Sequence, residues 1–495
     1  MGAPPRRRAR PPRRTSRRKK PQSIDDSGGP HHDWGVLEKP GLYARELSVL
    51  CRCWSTLVVK CAAVTLGAVV LGGALAGCSG HGARVHAGIS ASAPVALADQ
   101  AITIEVTGLA SGQRVTVTAE ATDDTGLTWQ SGATFTASRQ GVVNLAAAGP
   151  DSGSYQGVDA MGLLSSLGLP GQANVGGNGE FAAAPPPSRS GFPVKLTVSS
   201  AGGAVLATRT VTREWMTPGE SARVLTVKAD KVAGVLFTPP PGTPKHPGVV
   251  LFGGAEGGMS QVYAAALLAA HGYPSLSVAY FDWPGLPSQL ERIPLEYFEA
   301  AGRILAAQTG TDPAHVLALG YSRGSEAALL AADHFPQVFH GAIVYSPSSF
   351  ADPSQNDPGQ PGWTLDGRGI VNVPIPEDDI SGPVLALAGG DDTLVTDAGQ
   401  SANEIAFDLA SEGGDRYQGQ ALVYPDAGHA VGTFPYQPIT TAAIDTLGGT
   451  RAGDVAAQQA GWSKVLSLLA QLSRASRDRP VRTALEPRGS APHQW

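Results

Sequence analysis

The chain has 495 residues, 42% of them hydrophobic, which is enough to build two domain cores with further segments at the ends. Residues 1–77 carry 14 basic and 5 acidic side chains, the remainder 23 basic and 37 acidic, and so acidic a body excludes nucleic acid as its partner. The four cysteines are Cys51, Cys53, Cys61 and Cys78, which excludes a disulfide framework or a catalytic thiol downstream of them.

Residues 1–20 hold ten Arg or Lys and no acid. Within a segment spanning 1–56, this run reads as a disordered basic tail, or as residues upstream of the true start. Lys60 is followed by an uncharged apolar run, Cys61–Gly77, that ends in Leu75-Ala-Gly-Cys78. A basic residue, an apolar stretch and small residues at a cleavage point make a secretory signal, here over residues 57–77. The run is short and rich in Gly and Ala for a transmembrane helix. The tetrapeptide resembles the bacterial lipobox, in which the cysteine is lipidated. Cys78 is thereby expected to be the first mature residue, anchored on the extracytoplasmic side of the cell membrane. Cys51-Arg-Cys53 has the wrong spacing for a zinc pair, and no histidine cluster completes it. Neither a metal nor a cofactor is implied.

Residues 78–94 read as a small-residue linker. From 95 to 224 the pattern alternates with period two, in Ile102–Val106, Arg114–Thr118, Thr134–Ala137, Val142–Leu145, Val194–Val198 and Val205–Val211. Gly and Ser turns between such segments predict an all-β, immunoglobulin-like antiparallel sandwich. Residues 165–192, with Pro185-Pro186-Pro187, read as a long loop close to the site described next.

From 225 to 475 the pattern changes. Short apolar strands at Val249–Phe252, Ser275–Tyr280, Val316–Leu319, Ala342–Tyr345, Val384–Ala388 and Ala421–Tyr424 alternate with helices near Gln261–Ala270, Leu295–Ala307, Ser325–His334, Ala398–Ala410 and Val455–Leu472. This predicts a mostly parallel sheet flanked by helices. Asp352–Asp379, full of Pro, Gly and Asp, sits where a lid would be inserted. Residues 476–495 read as a disordered tail.

The chemistry lies at the strand ends of this second domain. Gly320-Tyr-Ser322-Arg-Gly324 between a buried strand and an Ala/Leu-rich helix is a nucleophile elbow, with Ser322 as nucleophile. Asp391 and Asp392 follow an apolar strand, and Asp392, three residues past Gly389, is the better placed acid. His429 follows the next strand. Serine needs a base to take its proton, imidazole can return that proton to the leaving group, and a carboxylate orients the ring. The order Ser322, Asp392, His429 is that of α/β-hydrolases. The loop Gly253-Gly-Ala-Glu-Gly-Gly258 ends another strand. The backbone N–H of Arg323, with that of Gly254 or Ala255, would form the oxyanion hole. Each piece alone is a turn, a cap or a polar loop residue; their order and placement carry the reading. Glu256, Glu326 and Asp426 lie nearby and read as structural or supporting.

Several segments together resemble the acyl-CoA thioesterase / bile acid-CoA:amino acid N-acyltransferase family. These are Ser154–Leu164 with Val158-Asp-Ala-Met-Gly, Arg213–Gly219, the elbow through Glu326, Asp391-Asp392, and Tyr424–His429 with Phe434-Pro-Tyr436. The resemblance runs from about residue 95 to about 475. It implies a β-sandwich ahead of an α/β-hydrolase domain, a triad of Ser322, Asp392 and His429, and an acyl-CoA or other acyl ester or thioester as substrate. Conjugating members use a cysteine nucleophile, so Ser322 points to hydrolysis, with acyl transfer to an amine as an alternative. The chain departs from the family in lacking a tryptophan after the Asp pair, and in Asp159-Ala-Met where the family has Asp-Pro-Met. CoA thioesters are cytosolic, whereas a lipobox sends the protein outside. An exported lipoprotein carboxylesterase is therefore the runner-up, and a lipoprotein binding module with a dead hydrolase fold the non-enzymatic alternative.

Overall fold

The structure, a computed structural model, describes residues 86–169, 180–412, 419–432, 434–439 and 441–478. The basic segment, the apolar run with its signal, and Cys78 lie outside the described residues. Among the described residues no helix is long and apolar enough to cross a membrane.

The N-terminal region is a pair of sheets. Six strands run in the order Val95–Leu97, Val205–Glu214, Gly191–Ser200, Arg114–Thr122, Thr128–Thr136 and Ser152–Gly153. Three more, Gly88–Ala91, Ile104–Thr107 and Val143–Asn144, form the second sheet. Every pairing is antiparallel except that of Val95–Leu97 with Val205–Glu214. Alternation does the sorting: Val115, Val117, Ala119 and Ala121 are buried, and the residues between them are half-buried. The sandwich begins earlier than residue 95. Gly88–Ala91 pairs with Ile104–Thr107, so part of the expected linker is a strand.

The second region is one eight-stranded sheet. Its strands are β1 (Ser221–Leu225), β2 (Ala233–Thr238), β3 (His246–Phe252), β4 (Ser275–Ala279), β5 (Thr311–Tyr321), β6 (Ala342–Tyr345), β7 (Val384–Gly389) and β8 (Gly419–Tyr424). The spatial order is β1-β2-β4-β3-β5-β6-β7-β8, antiparallel at β1-β2-β4 and parallel from β4 to β8. This is the α/β-hydrolase arrangement expected, with one addition: β1 (Ser221–Leu225), just before the expected boundary at 225, pairs antiparallel with β2.

The central strands alternate between two apolar faces. Val249, Leu251, Leu317, Leu319, Ile343, Leu385 and Leu387 pack into the core that continues into the sandwich. Val250, Phe252, Val316, Ala318, Val344 and Ala386 pack on the opposite face. Helix α1 (Val262–Ala270) belongs to the first core, and Val262–Ala269 are all buried. A helix with apolar residues all round is one enclosed on every side. Its Tyr263 stacks on Trp215 of the sandwich and donates to Ala183 O. The other face is covered by α2 (Leu295–Ala306), α3 (Arg323–His334) and α4 (Ala398–Glu412).

The C-terminal helices are α5 (Thr441–Leu447) and α6 (Arg451–Asp478). Helix α6 runs beyond the expected tail boundary at 475, and residues 479–495 lie outside the described set. Asp352–Asp379 is ordered into short strands at Trp363–Leu365, Arg368–Ile370 and Val373–Pro374, with Trp363 fully buried.

Candidate active site

Ser322 stands between β5 and α3 with φ 53° and ψ −123°, a strained conformation for a residue with a side chain. The flanking glycines allow it. A Cβ on Gly320 would stand 2.1 Å from Gly324 O, and one on Gly324 would stand 2.3 Å from Gly253 O. Any other residue at either place would push the elbow off β3 or open its turn. Ser322 N donates to Tyr345 O at 2.9 Å, which ties the elbow to β6. Ser322 itself is half-buried.

Asp392 follows β7 and His429 follows β8. His429 Nδ1 and Asp392 Oδ2 are 2.8 Å apart, with both side chains buried. Asp392 Oδ1 accepts from Leu394 N and Val395 N, each at 2.9 Å. Both carboxylate oxygens are thus engaged, which fixes the carboxylate's orientation towards the ring. Asp391 is exposed, its N–H donating to Ala427 O at 3.0 Å. The structure therefore brings Asp392 to the histidine and leaves Asp391 in solvent. With Nδ1 facing Asp392, Nε2 is the ring nitrogen left for proton transfer.

Three further contacts hold His429. Its carbonyl accepts from Tyr321 OH at 2.9 Å, and the two rings lie 5.1 Å apart. Gly428 N donates to Asp454 Oδ1 at 2.8 Å. Gln458 Nε2 donates to Ala430 O at 2.9 Å. Asp454 and Gln458 belong to α6, so that helix fixes the base loop. Burial pushes Asp454 up to about 6. Between α5 and α6, Gly448 and Gly449 take φ 79° and 69° and wedge between the acid and base loops. A Cβ on Gly448 would stand 2.0 Å from Asp391 O, and one on Gly449 2.1 Å from Gly428 N. Asp454, Gln458, Gly448 and Gly449 were not singled out from sequence. The glycine pair was the available signal, since adjacent glycines at a helix boundary mark positive φ.

Arg323 opens α3, where the first N–H groups lack partners within the helix. Its guanidinium faces the inserted segment. Arg323 Nη1 lies 3.1 Å from Glu326 Oε1, and Nη2 donates to Asp352 O and Pro353 O at 3.0 Å each. Glu326 Oε2 accepts from Trp363 Nε1 at 2.8 Å and Asp352 N at 2.9 Å. Burial pushes Glu326 up to about 8, with Arg323 acting against it. Asp352–Trp363 is therefore pinned at its start beside the nucleophile rather than hung over the site as a loose lid.

The oxyanion loop departs from expectation. Gly254 N–H donates to Glu256 Oε1 at 2.9 Å, so one foreseen donor is already engaged by a carboxylate. Ala255, the alternative donor, is half-buried in the same turn. Asp426 contributes its backbone, its carbonyl accepting from Thr450 N at 2.9 Å.

Several of the segments that carry the family resemblance meet elsewhere. Met161, Arg213, Trp215, Phe434 and Tyr436 line one small apolar pocket of about 20 Å³ between sandwich and hydrolase. Arg213 Nη1 and Trp215 Nε1 are buried there without a hydrogen-bond partner among the described residues. That volume suits one water and not an acyl chain. The end of the 165–192 loop docks beside it, with Phe181 N donating to Pro438 O at 2.8 Å. Among the described residues, no group of three His, Cys, Asp or Glu side chains is arranged to hold a metal ion.

Comparison with known proteins covers both regions. Residues 99–226 match the family model "Acyl-CoA thioester hydrolase/BAAT N-terminal region", and residues 371–473 match "BAAT / Acyl-CoA thioester hydrolase C terminal". The bile acid-CoA:amino acid N-acyltransferase of Mus musculus is 30% identical over 424 residues, covering 76% of this chain and 95% of that protein. Acyl-coenzyme A thioesterase 6 of Mus musculus is 28% identical over 407 residues, covering 74% of this chain and 92% of that protein. The peroxisomal succinyl-coenzyme A thioesterase of Mus musculus is 28% identical over 416 residues, with the same coverage of 74% and 92%.

Proposed function

Since the chain belongs to the acyl-CoA thioester hydrolase / bile acid-CoA:amino acid N-acyltransferase family, we propose that it is a serine hydrolase that cleaves acyl-CoA thioesters. Ser322 attacks the thioester carbonyl while His429 takes its proton. The thiolate of CoA leaves with a proton from His429, and an acyl-serine ester remains. Water, activated by the same imidazole, attacks that ester and releases the acid. Asp392 orients the ring and stabilises the imidazolium. The N–H of Arg323, at the N-terminus of α3, is one donor to the oxyanion.

The observation that carries this reading is the His429–Asp392 pair at 2.8 Å, with His429 packed on Tyr321, the residue before the strained Ser322. A serine nucleophile supports water as acceptor over an amine. The lipobox-like Leu75–Cys78 supports a second reading, in which an exported form anchored through Cys78 acts on an ester or thioester outside the membrane. The two readings separate on a matched pair of substrates, a fatty acyl-CoA and an aryl ester of the same acid. Selective thioester cleavage sustains the first reading. Ester cleavage with little thioester turnover sustains the second.

A further inference from the structure

Gly254 N–H is the donor that a hydrolase of this fold would offer to the carbonyl oxygen, yet Glu256 Oε1 accepts from it. A Cβ on Gly254 would stand 2.7 Å from Glu256 Oε2 and 2.9 Å from Ser322 Cβ. The carboxylate and the nucleophile's side chain therefore flank one point of backbone. We propose that Glu256 is a displaceable plug of the oxyanion hole, which slows attack by Ser322 until the carboxylate swings away.

One N–H cannot serve a carboxylate and a developing oxyanion at full strength, and a carboxylate left beside the oxyanion would repel it. The plug must therefore leave before the transition state. The loop supplies a place for it to go. Ser260 Oγ is buried and has no hydrogen-bond partner among the described residues. A Cβ on Gly253 would stand 2.0 Å from Ser260 Oγ and 2.8 Å from Glu256 Oε1, so the hydroxyl lies beside the carboxylate. Lastly, displacement has a fixed cost on the free enzyme, which lowers kcat/KM by the same factor for every substrate that uses the hole. Glu256 thus throttles Ser322 towards esters and thioesters alike.

The proposal rests on Ser322 as nucleophile, which loss of fluorophosphonate labelling in Ser322→Ala tests separately. The test of the plug uses the full chain and three readouts: the second-order rate of fluorophosphonate labelling, and kcat/KM for an aryl acetate and for a fatty acyl-CoA. Glu256→Ala is expected to raise the labelling rate and the aryl acetate kcat/KM by roughly tenfold or more, the scale of a lost charge-assisted hydrogen bond. The gain for acyl-CoA is expected to be of the same size. Glu256→Gln keeps the shape with a weaker, neutral acceptor and should fall between, and it decides the matter should the Ala variant fail to fold. Ser260→Ala should slow labelling in the wild-type background and not in Glu256→Ala. Unchanged or slower labelling in both Glu256 variants, at wild-type melting temperature, would overturn the proposal. So would a gain confined to one of the two substrates.

Discussion

His429 Nδ1 and Asp392 Oδ2 meet at 2.8 Å in a buried setting, although the two residues follow different strands. Asp392 has no spare oxygen, because Leu394 N and Val395 N hold the other. Asp392→Asn would keep the fold but present an amide to the ring and favour the wrong tautomer. The expected result is a loss of roughly 10⁴ in kcat, the scale seen when a triad acid is neutralised. Asp391→Asn, on an exposed side chain, should stay within a few-fold of wild type. Steady-state kinetics of the two variants checks this, and a larger loss in Asp391→Asn would reverse the assignment.

Trp363 ties the inserted segment to the nucleophile helix through Glu326. Trp363→Phe removes a donor to a buried carboxylate and leaves unfilled space. The expected cost is about 2–4 kcal/mol. Urea denaturation should show a lower midpoint with an unchanged slope. A shift under about 0.5 kcal/mol would mean that Glu326 finds another donor.

Asp99 links the sandwich to the hydrolase. Its Oδ2 faces His271 Nε2 at the end of α1 and accepts from Trp462 Nε1 of α6 at 2.8 Å. Trp462 is buried, so Asp99→Ala strands its N–H. We expect a loss of about 2–4 kcal/mol in urea denaturation. Trp462→Phe combined with Asp99→Ala should cost less than the sum of the single changes.

Asp454 gives a pH signature. Burial raises it from an ordinary 3.8 to about 6. Between those values the folded chain keeps a proton that the unfolded chain has released, so this contribution is full at low pH and is lost as pH rises through about 6. Asp454→Asn keeps an oxygen for Gly428 N and cannot ionise. Its melting temperature relative to wild type should climb from near zero around pH 4 to a plateau of a few degrees near pH 7. A difference that is flat with pH would contradict the account.

The sequence made the parallel core legible because its central strands carry apolar runs, and those of β3, β5 and β7 end in chemistry-bearing turns. The elbow was readable because the steric demand at Gly320 and Gly324 is local. The pair β1–β2 was not, because β1 is half-exposed and lies beside a boundary that looks like a linker. The Gly448–Gly449 wedge and the Asp454 and Gln458 anchors were also missed. They act across long sequence separations, and no local pattern announces which loop a buried aspartate will hold. Glu256 was noticed only as a neighbour. Its bond to Gly254 N depends on the path of the loop, which composition does not specify.

The most direct test of the central claim is a rapid-quench experiment on the full chain with a fatty acyl-CoA, followed by mass analysis of the protein. The account predicts a burst of free CoA matched by one acyl group on the peptide that contains Ser322, then steady release of the acid. Neither burst nor adduct should appear in Ser322→Ala. Turnover of the thioester without an adduct in wild type, or undiminished turnover in Ser322→Ala, would contradict the account.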